Sequence, residues 1–355
     1  MKKVISILFF LLVGISRGNA QDLKWGENSS INWEKLSETT NATYNTYGMW
    51  LLGEDSLLFE DLAIHETPLL LFDVDRDTAI NLIQTGRGPG EVHPTFYKRT
   101  TKFSNGNILL WDSGHQRASI YDRNLKYQNT LSGDVFNQRI YQVGLINDST
   151  LFVSGSKKAR FEIVRLKRFI VDEANIINTI DFDDYGELQG LNNFMHRQAI
   201  YLANDGDRIY LSFEFSSVIM GISEKGIEFK TSLPGNLTLP DFHENSPTYS
   251  LPKMGEHPEC SRYIAVNNRF VFSLFNGENI SKWQQIRYAS NFDFLIDKAK
   301  HTKNLLIYDK RDGSFINEIE LPIESKFLAV SGDNIFYFIN SLNDKTVLFK
   351  YLLTN

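Results

Sequence analysis

The chain has 355 residues, of which 42% are hydrophobic and 23% charged, and its formal net charge is −6. That is a globular composition, and an acidic chain without basic clusters excludes nucleic acid and anionic lipid as principal partners. The single cysteine, Cys260, excludes an internal disulfide, so the fold must rest on its core, which a chain of this length can build.

The first twenty residues have the order of a secretory leader. Lys2 and Lys3 precede an apolar run over 4–15, and Gly18-Asn19-Ala20 supplies small residues before a cleavage point. Cleavage after Ala20 predicts a mature chain beginning at Gln21, with net charge −9 once Lys2, Lys3 and Arg17 are gone. No cysteine lies beside that point, so the expected product is not a lipoprotein but a soluble periplasmic, secreted or cell-surface protein. No other segment reaches the ~18 consecutive apolar residues of a membrane-spanning helix.

Beyond the leader, apolar residues recur at period two in short runs bounded by turn residues, which predicts strands. A lone strand over 31–38 comes first, and then four strands at 50–52, 56–60, 69–73 and 79–84. The next unit, 97–103, 108–111, 118–121 and 127–131, turns at Ser104-Asn105-Gly106 and Asp122-Arg123-Asn124. Such residues tolerate left-handed backbone angles or bond their own main chain. A third unit follows at 140–145, 151–154, 162–170 and 176–182, and a fourth at 199–203, 209–213, 218–222 and 227–233. The fifth occupies 263–266, 270–274, 304–308 and 316–321; the last, 327–330, 335–339 and 348–352, has only three strands. Four strands repeating at about 45 residues predict an all-β, six-bladed β-propeller of four-stranded antiparallel blades, one domain over 21–355. An open edge strand invites aggregation, so segment 31–38 is expected to complete the last blade and close the ring.

In such blades, first-to-second and third-to-fourth turns share one face of the disc; second-to-third turns and links between blades share the other. The first set is short throughout. The second contains every long connection, 86–95, 183–197, 234–262 and 276–303, with short helical turns expected at 281–287 and 292–300. Long loops in a compact domain are uncommon and often functional, so this face is the expected recognition surface.

The stretch Thr85-Gly86-Arg87-Gly88-Pro89-Gly90-Glu91, then Pro94, Gly106 and Trp111-Asp112, resembles the bacterial TolB-like six-bladed propellers and is similar to the wider NHL-type group. The run from Tyr263 through Phe270-Val271-Phe272-Ser273-Leu274-Phe275-Asn276-Gly277 is similar to that family's fifth blade. The resemblance implies an exported six-bladed propeller and brings no agreed catalytic residues. Many members carry a lipoprotein cysteine, which this chain lacks.

Candidate binding residues on the long-loop face are Arg87, Glu91, His93, His115, Arg117 and Trp283, with Asp112 beside them. The glycines of 86–90 have a structural reading, as a link crossing from the rim of one blade to the inner strand of the next. They are not a phosphate loop, because the Gly-x-Gly-x-x-Gly spacing and the following helix are absent. Trp283, Tyr249 and Phe242 in long loops suit either local packing or stacking on sugar or peptide. His243 and His257, among Asp241, Glu244, Glu256, Glu259 and Cys260, are weak metal candidates whose spacing matches no zinc pattern. No Gly-x-Ser-x-Gly elbow or His-Glu-x-x-His motif occurs, and no catalytic residue is assigned. The expected function is a binding or scaffold module for a protein, peptide or glycan, without cofactor. The alternative is a metal-assisted hydrolase or lyase holding calcium or zinc at the channel mouth.

Overall fold

Period-two patterning broken by Asn, Asp and Gly turns yields six antiparallel sheets of four strands each among the described residues. The computed structural model describes residues 32–39, 46–61, 68–94, 98–155, 160–182, 200–213, 218–232, 261–276, 283, 287, 302–332, 334–342 and 345–354. After β1 (Asn32–Thr39), blade one contains β2 (Thr46–Leu51), β3 (Ser56–Asp61), β4 (Leu69–Asp73) and β5 (Thr78–Ile83). Blade two contains β6 (Lys98–Lys102), β7 (Ile108–Asp112), β8 (Arg117–Tyr121) and β9 (Tyr127–Thr130). Blade three contains β10 (Ile140–Asn147), β11 (Thr150–Gly155), β12 (Arg160–Arg165) and β13 (Ile176–Asp181). Blade four contains β14 (Ile200–Asn204), β15 (Ile209–Phe213), β16 (Ile219–Ser223) and β17 (Gly226–Thr231). Blade five contains β18 (Ser261–Val266), β19 (Phe270–Phe275), β20 (Thr302–Asp309) and β21 (Phe315–Ser325). Blade six contains β22 (Phe327–Ser331), β23 (Ile335–Leu342) and β24 (Lys345–Thr354).

The strand order of the last sheet is β1-β24-β23-β22. β1 runs antiparallel to β24 from Asn32 opposite Thr354 to Thr39 opposite Leu348, with one irregularity between Lys35 and Ser37. The first strand therefore closes the ring, as its sequence position predicts. Among the described residues no helix is long and apolar enough to cross a membrane. One expected strand is shorter than its sequence suggests: 162–170 ends at Arg165, and Lys167 and Ile170 bond each other across a reversal. Arg168 and Phe169 adopt positive φ there, 51° and 70°. The apolar Phe169 and Ile170 are exposed, so they imitate a strand in sequence without burying a face.

The core lies between blades, because alternate side chains leave opposite faces of a sheet. Ile108 and Leu110 join Leu58 and Leu71 of blade one, whereas Leu109 and Trp111 join Val143 and Leu145 of blade three. The large layer around Phe272, Phe336, Phe338 and Met49 spans blades five, six and one. Aromatic hydroxyl and indole groups tie these layers to main chain: Trp111 donates to the Tyr141 carbonyl at 3.1 Å and Tyr337 to the Glu54 carbonyl at 2.8 Å.

The face bearing first-to-second and third-to-fourth turns is stitched by polar links between neighbouring blades. Ser104 donates its N–H to Asp148 at 2.7 Å, joining blades two and three. Glu224 of blade four accepts from Asn147, Thr150 and Arg165 of blade three. Asp205 pairs with Lys310 at 3.0 Å across blades four and five, and Lys350 with Asp55 at 2.6 Å across blades six and one. Burial alone would raise the Asp205 carboxyl, but Lys310, Tyr210 and the Asp207 and Arg208 N–H groups hold it below the usual carboxylate range.

Candidate functional site

The glycine-rich connection from β5 to β6 folds into a main-chain latch. Gly86 N–H donates to the Val92 carbonyl at 3.1 Å and Val92 N–H to the Gln84 carbonyl at 3.0 Å. The Glu91 carboxylate curls back to accept the Gly88 N–H at 2.6 Å. A Cβ at Gly86, where φ is 153°, would lie 1.9 Å from that carboxylate, so only glycine admits the turn. Arg117, from the start of β8, spans the latch: its guanidinium donates to the carbonyls of Gly88 at 3.1 Å, Arg87 at 3.4 Å, and Glu91. Tyr121 donates to the Gly90 carbonyl at 3.2 Å. Glu91 and Arg117 thus spend their charge on backbone, while the Arg87 side chain is exposed.

Asp112, at the end of β7, joins this latch to the next turn. Its buried carboxylate accepts the N–H of His93 at 2.7 Å, Gly114 at 3.0 Å and His115 at 3.3 Å. The same carboxylate lies 2.9 Å from His115 Nδ1. A carboxylate acceptor calls for a proton on Nδ1. The His93 and His115 rings meet edge to face, 5.1 Å between centroids. Gly114 makes room for this pair, since a Cβ there would come within 2.4 Å of the His93 ring. Burial pulls the His93 pKa below its ordinary value; His115, Lys98 and Arg87 add to the effect and Asp112 opposes it. The two imidazoles could together offer ligand nitrogens. Among the described residues, however, no group of three or more His, Cys, Asp or Glu side chains is arranged to hold a metal ion.

The inner strands β2, β6, β10, β14, β18 and β22 surround the axis, but not equally. β6 and β14 meet directly in front of β10: Lys102 N–H donates to Asn204 Oδ1 at 3.1 Å and Asn204 Nδ2 to the Lys102 carbonyl at 2.8 Å. Gly144 of β10 permits the approach, because a Cβ would sit 2.6 Å from Ile209 and 3.2 Å from Leu202. Nearer the long-loop face, Arg99 donates to the Ile200 carbonyl at 3.3 Å and lies 5.2 Å above the Tyr201 ring. Tyr201 packs against Tyr263, and Tyr263 against Phe327, each pair 5.3 Å between centroids. Tyr263 hydroxyl also accepts the Met49 N–H at 3.0 Å. This belt links the inner strands of five blades. Behind it, at the short-turn end, lies a cavity of about 110 Å³.

Of the sequence-predicted residues, Arg87, Glu91, His93, Asp112, His115 and Arg117 gather in one place, on the face expected for them. They sit where blade one's link meets blade two, and none of them lines the axial cavity. The Glu91 carboxylate is engaged by the Gly88 N–H. Trp283 is 80% exposed. Phe242, His243, Tyr249, His257 and Cys260 lie outside the described residues, as does the leader 1–20. Sequence reading passed over the axial group of Arg99, Lys102, Tyr201 and Tyr263. One signal for it was present: three cations in the five residues Lys98–Lys102 of an inner strand.

No family model matches the chain, and no curated protein matches its sequence. Solved structures match in fold. A member of the DUF4221 family from Bacteroides vulgatus, 14% identical, aligns over 92% of this chain and 99% of its own, with a TM-score of 0.53. A Bacteroides thetaiotaomicron protein of unknown function is 12% identical over 92% of this chain and 76% of its own, at TM-score 0.49. A streptogramin B lyase is 11% identical over 91% and 98%, at 0.45. At such identities the likeness to the DUF4221 member concerns the fold alone.

Proposed function

We propose that this protein is an exported binding or scaffold module that recognises a protein, peptide or glycan through the face bearing its long connections. The carrying observation is the division of labour between faces. The short-turn face commits Asp148, Asp205, Lys310, Asp55 and Lys350 to joining blades, while the strand ends flanking 183–199, 233–260 and 277–301 all open on the other face. A rigid rim beneath long connections suits recognition, because little of the frame needs ordering on binding. The leader sequence supports export, and the glycine-rich link supports kinship with TolB-like propellers.

The test uses glycan and peptide arrays probed with protein spanning 21–355. Replacing 234–260 or 277–301 by a short Gly-Ser turn is expected to weaken captured ligands at least tenfold, with the β-sheet circular dichroism unchanged. Lys225→Ala on the opposite face is expected to leave them unaltered. Ligands that survive both loop replacements would sink the reading.

A further inference from the structure

We propose that the axial cavity is a binding site for a small organic carboxylate with an apolar stem, its charge received by Lys102 and Thr100. The case rests on which polar groups around the cavity are already engaged. Tyr263 hydroxyl is held by the Met49 main chain. Thr101 hydroxyl accepts the Leu145 N–H at 2.9 Å. The Asn204 amide uses both ends on the Lys102 main chain. Two groups remain. Thr100 Oγ1 is buried and has no hydrogen-bond partner, and among the described residues no carboxylate or carbonyl meets the Lys102 ammonium. Both residues line the cavity, whose wall mixes polar with apolar surface, the apolar part including Met49, Leu202, Val266, Leu328 and Val330.

Lys102 is half-buried, and partly withdrawing a cation from water without a counter-charge is costly. Burial accordingly draws the Lys102 pKa below that of a free lysine, with no acidic neighbour opposing it. An incoming carboxylate supplies the missing charge through a charge-assisted hydrogen bond, and Thr100 can donate a second bond. With ~10–15 Å³ for each water-sized group, the cavity holds on the order of seven to eleven of them. That suits a carboxylate on a short aliphatic or aromatic stem. The Asn204 clamp fixes the backbone of Lys102 at the cavity wall. The site opens at the end of the channel opposite the proposed recognition face, and stands or falls independently of that reading.

The experiment is calorimetric titration of the folded chain at constant ionic strength with butyrate, hexanoate and benzoate, and with the matched amides. Inorganic phosphate and an N-acetylated dipeptide with a free C-terminus complete the set. Saturable binding of the small carboxylates, with the amides at least tenfold weaker, is expected. Lys102→Met is expected to reduce affinity at least tenfold and Thr100→Val severalfold, while Lys225→Met leaves it unchanged. Should Lys102→Met fail to fold, the Lys102 signal in isotope-labelled wild-type protein replaces it, and its titration should move upward on saturation with hexanoate. No saturable carboxylate binding, equal binding of the amides, or an unmoved Lys102 titration would each overturn the proposal. Preference for phosphate would overturn the carboxylate assignment, and preference for the dipeptide would overturn the small-molecule one.

Discussion

Between blades one and two, Lys98 Nζ lies 3.2 Å from Glu60 Oε1, and both side chains are fully buried. The Lys98 main-chain N–H also points to the same carboxylate at 3.4 Å. Burial pushes the Glu60 carboxyl up, against the pull of Lys98 and Arg99. Such a pair adds little net stability over an apolar replacement, yet losing one member strands the other without water. Glu60→Ala should therefore cost roughly 3–5 kcal/mol in urea unfolding, and Lys98→Met a similar amount. The double variant Glu60→Leu/Lys98→Met should recover most of that loss. Additive single costs would show that the two charges are not coupled. Neither residue is distinctive in sequence: Glu60 ends one strand, Lys98 begins another, and only the packing of blade on blade makes them partners.

At the level of elements, β1 is joined to the rest by more than its ladder. Trp33 Nε1 donates to the Glu320 carbonyl at 3.0 Å, reaching from blade six to blade five. Its ring meets Phe336, Phe338 and Tyr351 edge to face, 5.2–6.2 Å between centroids. Trp33→Ala should lower stability by about 3 kcal/mol, through lost aromatic packing and an orphaned carbonyl. Removing 32–39 outright should leave β24 as a bare edge and produce concentration-dependent association, measurable by light scattering. An unchanged melting temperature for Trp33→Ala would mean that the strand hangs on its ladder alone. Elements of this kind were legible in the sequence. Alternation marked the strands, Asn-Gly and Asp-Gly pairs marked the turns, and the three-strand last unit announced the need for β1. The run 162–170 misled because Phe169 and Ile170 continue the apolar pattern through a reversal that only positive φ values reveal. The candidate site was half legible: glycines and histidines marked the link and its neighbouring turn, whereas the roles of Arg117 as donor to main-chain carbonyls and of Asp112 as acceptor from main-chain N–H groups depend on geometry.

For the molecule as a whole, the decisive seam is where β1 meets β24. Asn32 and Thr354 are opposite one another in the ladder, at a separation that antiparallel pairing keeps within disulfide reach. With Cys260 replaced by Ser, Asn32→Cys/Thr354→Cys should close a loop spanning nearly the whole ring. Oxidation should then stabilise it by about 2–4 kcal/mol, read as a melting temperature that falls back on adding reductant. Coincident oxidised and reduced melting curves would show that unfolding starts elsewhere. The asymmetric axis was not legible at this scale, because contacts such as Lys102 with Asn204 join strands 102 positions apart and leave no local signature.

The pairing of β1 with β24 also orders events in time. Synthesis delivers β1 before every other described strand and its mate β24 after them, so five blades can assemble while the sixth waits for its edge. A polypeptide cut short anywhere before residue 345 offers β1 nothing to grip, and its ring stays ajar. The last sheet is thereby checked by geometry: only a molecule that includes β24 can be locked.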